Sequence, residues 1–211
     1  RTTMGISGDK LHQTTSRWTP AIYCSYKPFA DSDDISLRAF YKSIFRLPTF
    51  NDLYYTEVGN SNLKPENTHQ WDLGLIYAHD WYSGLLRHLE LKADGYFNLV
   101  ANKIVAIPKG SGQYRWKMMN VGKVHIAGFE ATAEAALRLH RDWYLLMCLN
   151  YTYQSATDHT DPTDNDPYYG TYGKQIAYVP WHSGRVAANL NWKDFGVNYS
   201  FIYVGERYHT S

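Results

Sequence analysis

The feature that most constrains this chain is an apolar side chain at every second position, in one stretch after another. In "LELKADGYFNLV", residues 89–100, an apolar series of Leu, Leu, Ala, Gly, Phe and Leu alternates with charged or polar residues. The same alternation recurs at least eight times, for example in "GFEATAEAAL", "DWYLLMCLNYTYQ" and "FGVNYSFIYV". A period of two is typical of a strand with one apolar face, and no stretch has a convincing helical period. The chain is therefore predicted to be almost entirely β.

Short connectors alternate with long ones along the chain. Residues 28–33, 80–86, 139–141 and 193–194 are predicted to be short turns, whereas 46–66, 103–117 and 157–176 are long and rich in Gly, Pro, Asn, Asp and Tyr. Short connections at one end and long ones at the other indicate an antiparallel up-and-down meander. No boundary divides residues 1–211, which are predicted to be part of a single domain. Because the chain starts at Arg1 and stops as a strand finishes, we expect it to be a piece of a longer protein.

Aromatic residues make up 16% of the chain, and their positions distinguish water from lipid as the surrounding solvent. Trp143 and Trp192 flank short turns, and at the opposite ends of the same strands we predict Tyr151, Tyr153, Tyr199 and Tyr203. The run from Trp143 to Tyr153 covers about 33 Å of strand. At a tilt of about 40° it spans about 25 Å of height, which is the apolar band of a membrane barrel. This spacing predicts two aromatic belts at two lipid interfaces.

The opposite face of the strands is charged. Its predicted lumen-facing residues are Glu90, Lys92, Asp94, Glu130, Glu134 and Arg185. A sandwich core could not bury so many unpaired charges, whereas a wet lumen holds them without penalty. Val124 and Ile126 share the phase of these charged residues, either through a bulge or because they lie near the rim.

The pattern thus predicts an all-β, antiparallel transmembrane barrel. Two alternatives remain open: a complete small barrel with a structural or adhesive role, and a soluble β-rich binding module. A net charge of +1 gives no argument for a nucleic-acid partner.

Several motifs resemble one family. "YKSIFRLPTFNDLYY" followed by "GNSNLKPENTHQWDLGL" resembles a recurrent stretch of the TonB-dependent outer-membrane receptors, and "MNVGKVHIAGFEATAE" resembles a strand opening of that family. "LNYTYQSAT", "VPWHSGRVAANLNW" and "YVGERY" follow in the family's order and spacing. The resemblance covers most of the chain and is strongest to the vitamin B12 (cobalamin) receptor subgroup. Several motifs in a fixed order are more specific than any one of them.

The resemblance implies a barrel of about 22 strands in the bacterial outer membrane, closed by an N-terminal plug. This chain would supply about eight consecutive strands, without the plug. The short turns would face the periplasm and the long loops the outside. The implied partners are membrane lipid, the plug, the remaining strands, a TonB-type energy-transducing protein and a nutrient such as cobalamin or a ferric siderophore. The lumen charges would solvate the passage or, in the preferred interpretation, anchor the plug.

Ligand recognition is expected on the long loops. The candidate residues there are Phe50, Asn51, Tyr54, Tyr55, Tyr114, Trp116, Tyr168, Tyr169 and Tyr172. Aromatic rings beside Asn and Asp suit a large, flat, partly polar ligand. The alternative, that some of these rings belong to the upper belt or close one loop onto another, stays open.

No catalytic motif is present: the sequence contains no nucleophile elbow, phosphate loop or HExxH pair. We therefore predict neither enzymatic activity nor a cofactor. Four acidic residues could offer oxygens to a structural calcium ion, namely Asp158, Asp161, Asp164 and Asp166, but they lack the spacing and terminal Glu of an EF-hand. A solvated acidic loop is the preferred interpretation. Cys24 and Cys148 lie in different strands and are predicted to be unpaired.

Overall fold

A computed structural model describes residues 2–10, 18–29, 32–108, 116–167 and 170–208, with the backbone alone for 2–10, 107 and 108. The strands are β1 (Thr2–Lys10), β2 (Trp18–Tyr26), β3 (Ile35–Arg46), β4 (Glu66–Asp80), β5 (Leu86–Pro108), β6 (Trp116–His140), β7 (Trp143–Asp158), β8 (His182–Trp192) and β9 (Phe195–Val204). One short helix, α1 (Phe50–Tyr54), interrupts the β3–β4 connection. Within the described ranges, no helix is both long and apolar enough to cross a bilayer.

Each strand pairs antiparallel with the next one in the sequence, so the sheet order is β1 to β9. This confirms the predicted all-β, up-and-down architecture. The sheet has nine strands, whereas the sequence predicts about eight. The difference is β1, because its segment, "TTMGISGDK", lacks the clear alternation that predicts the other strands. In the described part of the chain, β1 and β9 each pair on one side only, and the sheet is open at both edges.

Three predicted connectors differ from the structure by more than one residue at an end. The turn between β6 and β7 is residues 141–142 instead of 139–141, and the β7–β8 connection is 159–181 instead of 157–176. The prediction that 103–117 is a loop is wrong at both ends. Pairing continues from Lys103 opposite Val121 to Pro108 opposite Trp116, because Ile104, Val105 and their neighbours suit a strand. The intervening residues 109–115 lie outside the described ranges.

The register separates an apolar face from a polar face. One row of directly opposed residues on the apolar face, from β3 to β7, is Leu37, Leu75, Ala93, Ala131 and Tyr151. The adjacent row on the polar face is Arg38, Gly74, Asp94, Glu130 and Thr152. Among the described strand pairs, the register shifts only next to short turns, between Leu86 and His88 and between Arg138 and His140.

Aromatic rings mark both ends of the apolar face. Beside the short turns, the rings of Trp143 and Trp192 stack with centroids 5.5 Å apart, and Phe195 follows at 6.1 Å from Trp192. At the other end, Trp71 lies between Tyr41 and Phe97, with centroids 5.4 and 6.0 Å away. These contacts place aromatic rings at the two heights that the sequence indicates.

One of the belt assignments is wrong. Tyr199 is the fifth of the ten residues of β9 and is paired with Ala188, which is itself opposite Met147. It therefore lies midway along the apolar face. Phe195 and Tyr203, at the two ends of β9, take the belt positions on that strand.

The largest buried cluster lies on the polar face, at the end with the long connections. It consists of Val100, Val124, Ile126, Ala156 and Ile176. Val124 is directly opposite Val100 and Asp158 in an unbroken register, so the bulge proposed for this phase change is absent. The alternative is correct: these apolar residues lie near the rim, where Ile176 of the β7–β8 connection covers them.

Candidate functional site

The β3–β4 connection, residues 47–65, is fixed by a capped turn of helix. Thr49 Oγ1 accepts a hydrogen bond from Asp52 N (3.2 Å), and Asp52 Oδ2 accepts one from Thr49 N (2.9 Å), which forms a capping box. Arg46 lies 3.3 Å from Asp52 and 3.8 Å from Glu66, whose carboxylate accepts a hydrogen bond from Ile104 N. Burial opposes ionisation of Asp52, but the hydrogen bonds from Thr49 and the charge of Arg46 outweigh it and lower the pKa of this carboxyl.

A second set of hydrogen bonds ties the same connection to β6. Asn60 Nδ2 donates to Met118 O (3.0 Å), and Met118 N donates to Val58 O (2.8 Å). The Asn120 side chain accepts from Lys64 N (2.8 Å) and donates to Lys64 O (3.0 Å). The connection is therefore a fixed surface on the end of the sheet.

Four of the predicted ligand-binding residues lie on this fixed surface. Phe50, Tyr54 and Tyr55 are 76%, 60% and 62% exposed, and the rings of Phe50 and Tyr54 are 5.1 Å apart. Asn51 is exposed beside them, and its carbonyl accepts a hydrogen bond from Tyr55 N. Large exposed rings on an ordered turn offer contact area at little entropic cost, which is the property of a binding surface.

The β7–β8 connection folds back onto the polar face through Gln175, which is only 3% exposed. Its Oε1 accepts a hydrogen bond from Ala156 N (2.7 Å), and its Nε2 donates to Gln154 O (3.3 Å) and Val179 O (3.2 Å). Ile176 N donates to Ala156 O (2.8 Å) and brings Ile176 into the buried cluster. Gln175 is a residue that the sequence did not single out, because one glutamine in a polar loop has no local signal.

The other predicted ligand-binding residues are dispersed. The ring of Trp116 packs on Tyr178, with centroids 5.3 Å apart, and Tyr172 meets His159 edge-on at 5.0 Å. These contacts favour the alternative that some rings close one loop onto another. Tyr178 is a further residue that the sequence did not identify. The remaining candidates, Tyr114, Tyr168 and Tyr169, lie outside the described residues.

The acidic residues of the β7–β8 connection are used in local turns. Three carboxylates each accept hydrogen bonds from a nearby threonine: Asp158 from Thr160, Asp161 from Thr163, and Asp164 from Thr171. The hydrogen bonds from Thr163 lower the pKa of the Asp161 carboxyl. Within the described ranges, no three His, Cys, Asp or Glu side chains are grouped so that they could hold a metal ion. The preferred interpretation, a solvated acidic loop, stays a prediction, with a calcium ion at these residues and Asp166 as its less favoured alternative.

All six predicted lumen-facing residues lie on the polar face. Glu90 is directly opposite Glu134, Asp94 is directly opposite Glu130, and the row between them runs from Lys92 through Thr132 and Asn150 to Arg185. Lys92 Nζ lies 2.5 Å from Glu90 Oε1, and the Arg38 guanidinium lies 2.6 Å from Asp94 Oδ1. Carboxylates are therefore directly opposed in two rows, and the basic side chains of Lys92 and Arg185 lie in the row between them.

Several acceptors on the polar face lack a partner within the described part of the chain. Neither Glu130 nor Glu134 forms an ion pair there, although each faces another carboxylate. Asp72 Oδ1 and Asn98 Oδ1 are buried and accept no hydrogen bond. Such buried oxygens without donors are rare in folded proteins, and Asn67 Oδ1 on the apolar face is a third one.

The two cysteines are free in the structure. Cys24 lies on the apolar face of β2, opposite Ala39, and Cys148 on the polar face of β7, where its Sγ is 3.4 Å from Asn150 Oδ1. They are separated by four strands, which agrees with the predicted absence of a disulfide.

Curated relatives include two proteins named vitamin B12 transporter BtuB. The protein of Photobacterium profundum is 34% identical over 117 residues, which is 54% of this chain and 17% of that protein. The protein of Vibrio vulnificus is 32% identical over 104 residues, which is 49% of this chain and 16% of that protein. The matched segment is therefore about a sixth of the length of these relatives.

Solved structures share the fold. The copper transporter OprC is 20% identical with a TM-score of 0.61, and the match covers 93% of this chain and 28% of OprC. The siderophore receptor PirA of Pseudomonas aeruginosa is 20% identical with a TM-score of 0.58, covering 98% of this chain and 34% of PirA. The family model described as "TonB dependent receptor-like, beta-barrel" matches residues 2–211. The chain belongs to this family of receptor β-barrels.

Proposed function

We propose that this chain forms part of the barrel wall and external rim of a bacterial outer-membrane receptor for a scarce nutrient that is too large for general porins. A TonB-type protein would energise uptake, and the chain itself would have no enzymatic role. The observation that supports this most directly is the division of one continuous sheet into an apolar face with aromatic ends and a charged face. Such a sheet suits lipid on one side and an aqueous lumen on the other.

The orientation follows from the connections. The short turns would face the periplasm, as in other barrels of this kind, and the long connections would face outward. The β3–β4 connection would then present Phe50 and Tyr54 to the external medium, on a turn that is already ordered. In this orientation the β7–β8 connection narrows the outer mouth of the lumen.

Cobalamin is the leading cargo, because two relatives at about a third identity are named vitamin B12 transporters. A ferric siderophore is the second candidate, supported only by shared fold with receptors such as PirA. A fold hosts many cargoes, so the choice rests on the rim residues.

The acidic rows of the polar face would anchor a plug. Glu130 and Glu134 face other carboxylates, and cationic or N–H groups of a covering segment would relieve that repulsion. In this arrangement the charges hold the plug in place, and the passage opens when the plug moves.

The rim is tested by ligand binding to the full-length receptor in detergent. Replacing Phe50 and Tyr54 together with Ala removes two exposed rings, and we expect the Kd for cobalamin to rise about tenfold or more, as for interface hot-spot rings. Tyr82→Ala is the matched control, since Tyr82 is 100% exposed but lies on the short turn between β4 and β5. Its Kd should equal that of the unsubstituted receptor.

Three outcomes would contradict parts of this proposal. Equal affinities for the double variant and the control would remove α1 from the binding surface. Binding of a ferric siderophore but not cobalamin would replace the leading cargo with the second. A full-length protein that stays monodisperse in water without detergent would overturn the membrane location, because its apolar face would form a large exposed patch.

A further inference from the structure

A cluster of basic side chains lies on the apolar face, at the edge where the long connections begin. It consists of Lys123, His125 and His159. His159 N donates to Lys123 O (2.8 Å), and Lys123 N donates to Thr160 Oγ1 (3.1 Å), so the chain after β7 stays beside β6. The rings of His125 and His159 stack with centroids 3.9 Å apart and planes 18° from parallel.

No carboxylate of the described residues shares these rows of the apolar face. The row of Lys123 runs through Phe45, Asn67 and Ala101, and the row of His125 through Ser43, His69, Leu99 and Thr157. Asp158 lies between Thr157 and His159 in the sequence, but it is opposite Val124 and belongs to the polar face. Lys103, opposite Val121, is a diagonal neighbour that adds a further positive charge. Lys123 and Lys103 therefore carry positive charge on this face without a counter-charge from the sheet, and the two imidazole rings lie beside them.

The side chains next to the cluster follow the order of the layers of a membrane leaflet. The next two rows toward the middle of the sheet carry aromatic rings, with Tyr41, Trp71 and Phe97 in the first and Phe129 and Tyr153 in the second. The row after them contains the aliphatic side chains Leu37, Leu75, Ala93 and Ala131 beside Tyr151. Aromatic rings favour the interface of a bilayer, and aliphatic side chains favour its hydrocarbon. His125 lies one row further out than Trp71 and Phe97, and Lys123 lies two rows further out, at the height of the lipid headgroups.

We propose that Lys123, His125 and His159 bind a phosphate group of an anionic lipid in the outer leaflet. Lys123 supplies a fixed positive charge, and the imidazole N–H groups supply hydrogen-bond donors to the phosphate oxygens. The lipid's acyl chains lie against the apolar rows next to the cluster. The inference rests on the proposed membrane orientation, but it does not depend on which nutrient the receptor carries.

The test uses the full-length receptor in detergent with bisphosphorylated lipid A and, as comparison, the same glycolipid without phosphates. Native mass spectrometry counts the bound lipid over a titration. We expect phosphate-dependent binding that Lys123→Ala weakens about fivefold, since one lysine near a membrane surface contributes about that factor. The double variant with His159→Ala, which also removes a hydrogen-bond donor, should weaken it further. Lys193→Ala is the matched control: it removes a lysine beside Trp192 at the other end of the same face, and its affinity should be unchanged.

Three results would overturn the inference. One is equal binding of the phosphorylated and phosphate-free glycolipids, and the other is equal affinity of the double variant and the unsubstituted receptor. Displacement of the lipid by inorganic phosphate at the same concentration would also overturn it, because the site would then recognise free phosphate. Nutrient affinity measured on the same samples separates this inference from the proposed function: unchanged cobalamin binding with no lipid selectivity removes the lipid site alone.

Discussion

Gln175 is expected to hold the β7–β8 connection against the sheet, and Gln175→Leu tests that role. The substitution introduces an apolar side chain of similar size and removes the hydrogen bonds to Ala156 N, Gln154 O and Val179 O. The Ala156 N–H is buried, and an unpaired buried donor costs about 1–3 kcal/mol. The two carbonyls can turn toward water when the connection opens, so we take about 2 kcal/mol for the whole change. A loss of this size raises the population of the open connection about 30-fold.

Hydrogen exchange of the full-length receptor measures this opening. Peptides that cover residues 154–180 should exchange about 30-fold faster in the Gln175→Leu variant, whereas peptides from the first half of β7 should not change. Gln70→Leu is the matched control, because Gln70 lies on the polar face of β4 and is not part of the connection. Exchange of Ala156 and residues 159–181 within about twofold of the unsubstituted receptor would refute the reasoning. Equal acceleration by Gln70→Leu would do so as well.

Two further perturbations test the packing of the sheet and the anchoring of α1. A Cβ added at Gly128 would overlap the ring of Tyr96 on the opposite strand, whereas one added at Gly95 meets nothing within 4 Å. In urea unfolding of the receptor in lipid vesicles, we therefore expect Gly128→Val to lower the free energy of unfolding by about 1–3 kcal/mol and Gly95→Val to have little effect. Equal stabilities of the two variants would contradict this packing of the sheet. The pKa of Asp52 lies below its ordinary value of 3.8 in the folded loop, so its stabilising contribution is complete above that value and is lost as the pH falls through the lowered pKa. The hydrogen exchange rate of residues 47–60, corrected for intrinsic rates, should therefore rise below about pH 4. In the Asp52→Asn variant the corrected rate should be higher than in the unsubstituted receptor at neutral pH and should not change with pH.

The strands and their faces could be predicted because the alternation of side chains is a local property. The alternation of apolar and polar side chains in residues 89–99 identifies the two faces of β5 without information from the rest of the chain. The β1 segment has no comparable alternation, and its place in the sheet follows from its pairing with β2. At the ends of β5 and β6, residues such as Ile104 and Val105 suit a strand, but whether they extend the sheet depends on pairing between the two strands.

The rim was less predictable, since its contacts join distant parts of the chain. Phe50 and Tyr54 could be identified as exposed rings in a long connection, but the tether from Arg46 through Asp52 and Glu66 could not. Likewise, the nine histidines look scattered in the sequence, with no spaced pair on one strand. The stacking of His125 on His159 appears only when β6 and β7 are placed side by side.

The central claim is that one face of this sheet meets lipid and the other meets water. Spin labels placed one at a time at residues 129–135 of β6 test it in the full-length receptor in bilayers, after Cys24 and Cys148 are replaced with Ser. We predict a period of two: labels at 129, 131, 133 and 135 collide with oxygen, and labels at 130, 132 and 134 collide with a water-soluble nickel chelate. A uniform accessibility along β6, or the opposite phase, would contradict the account.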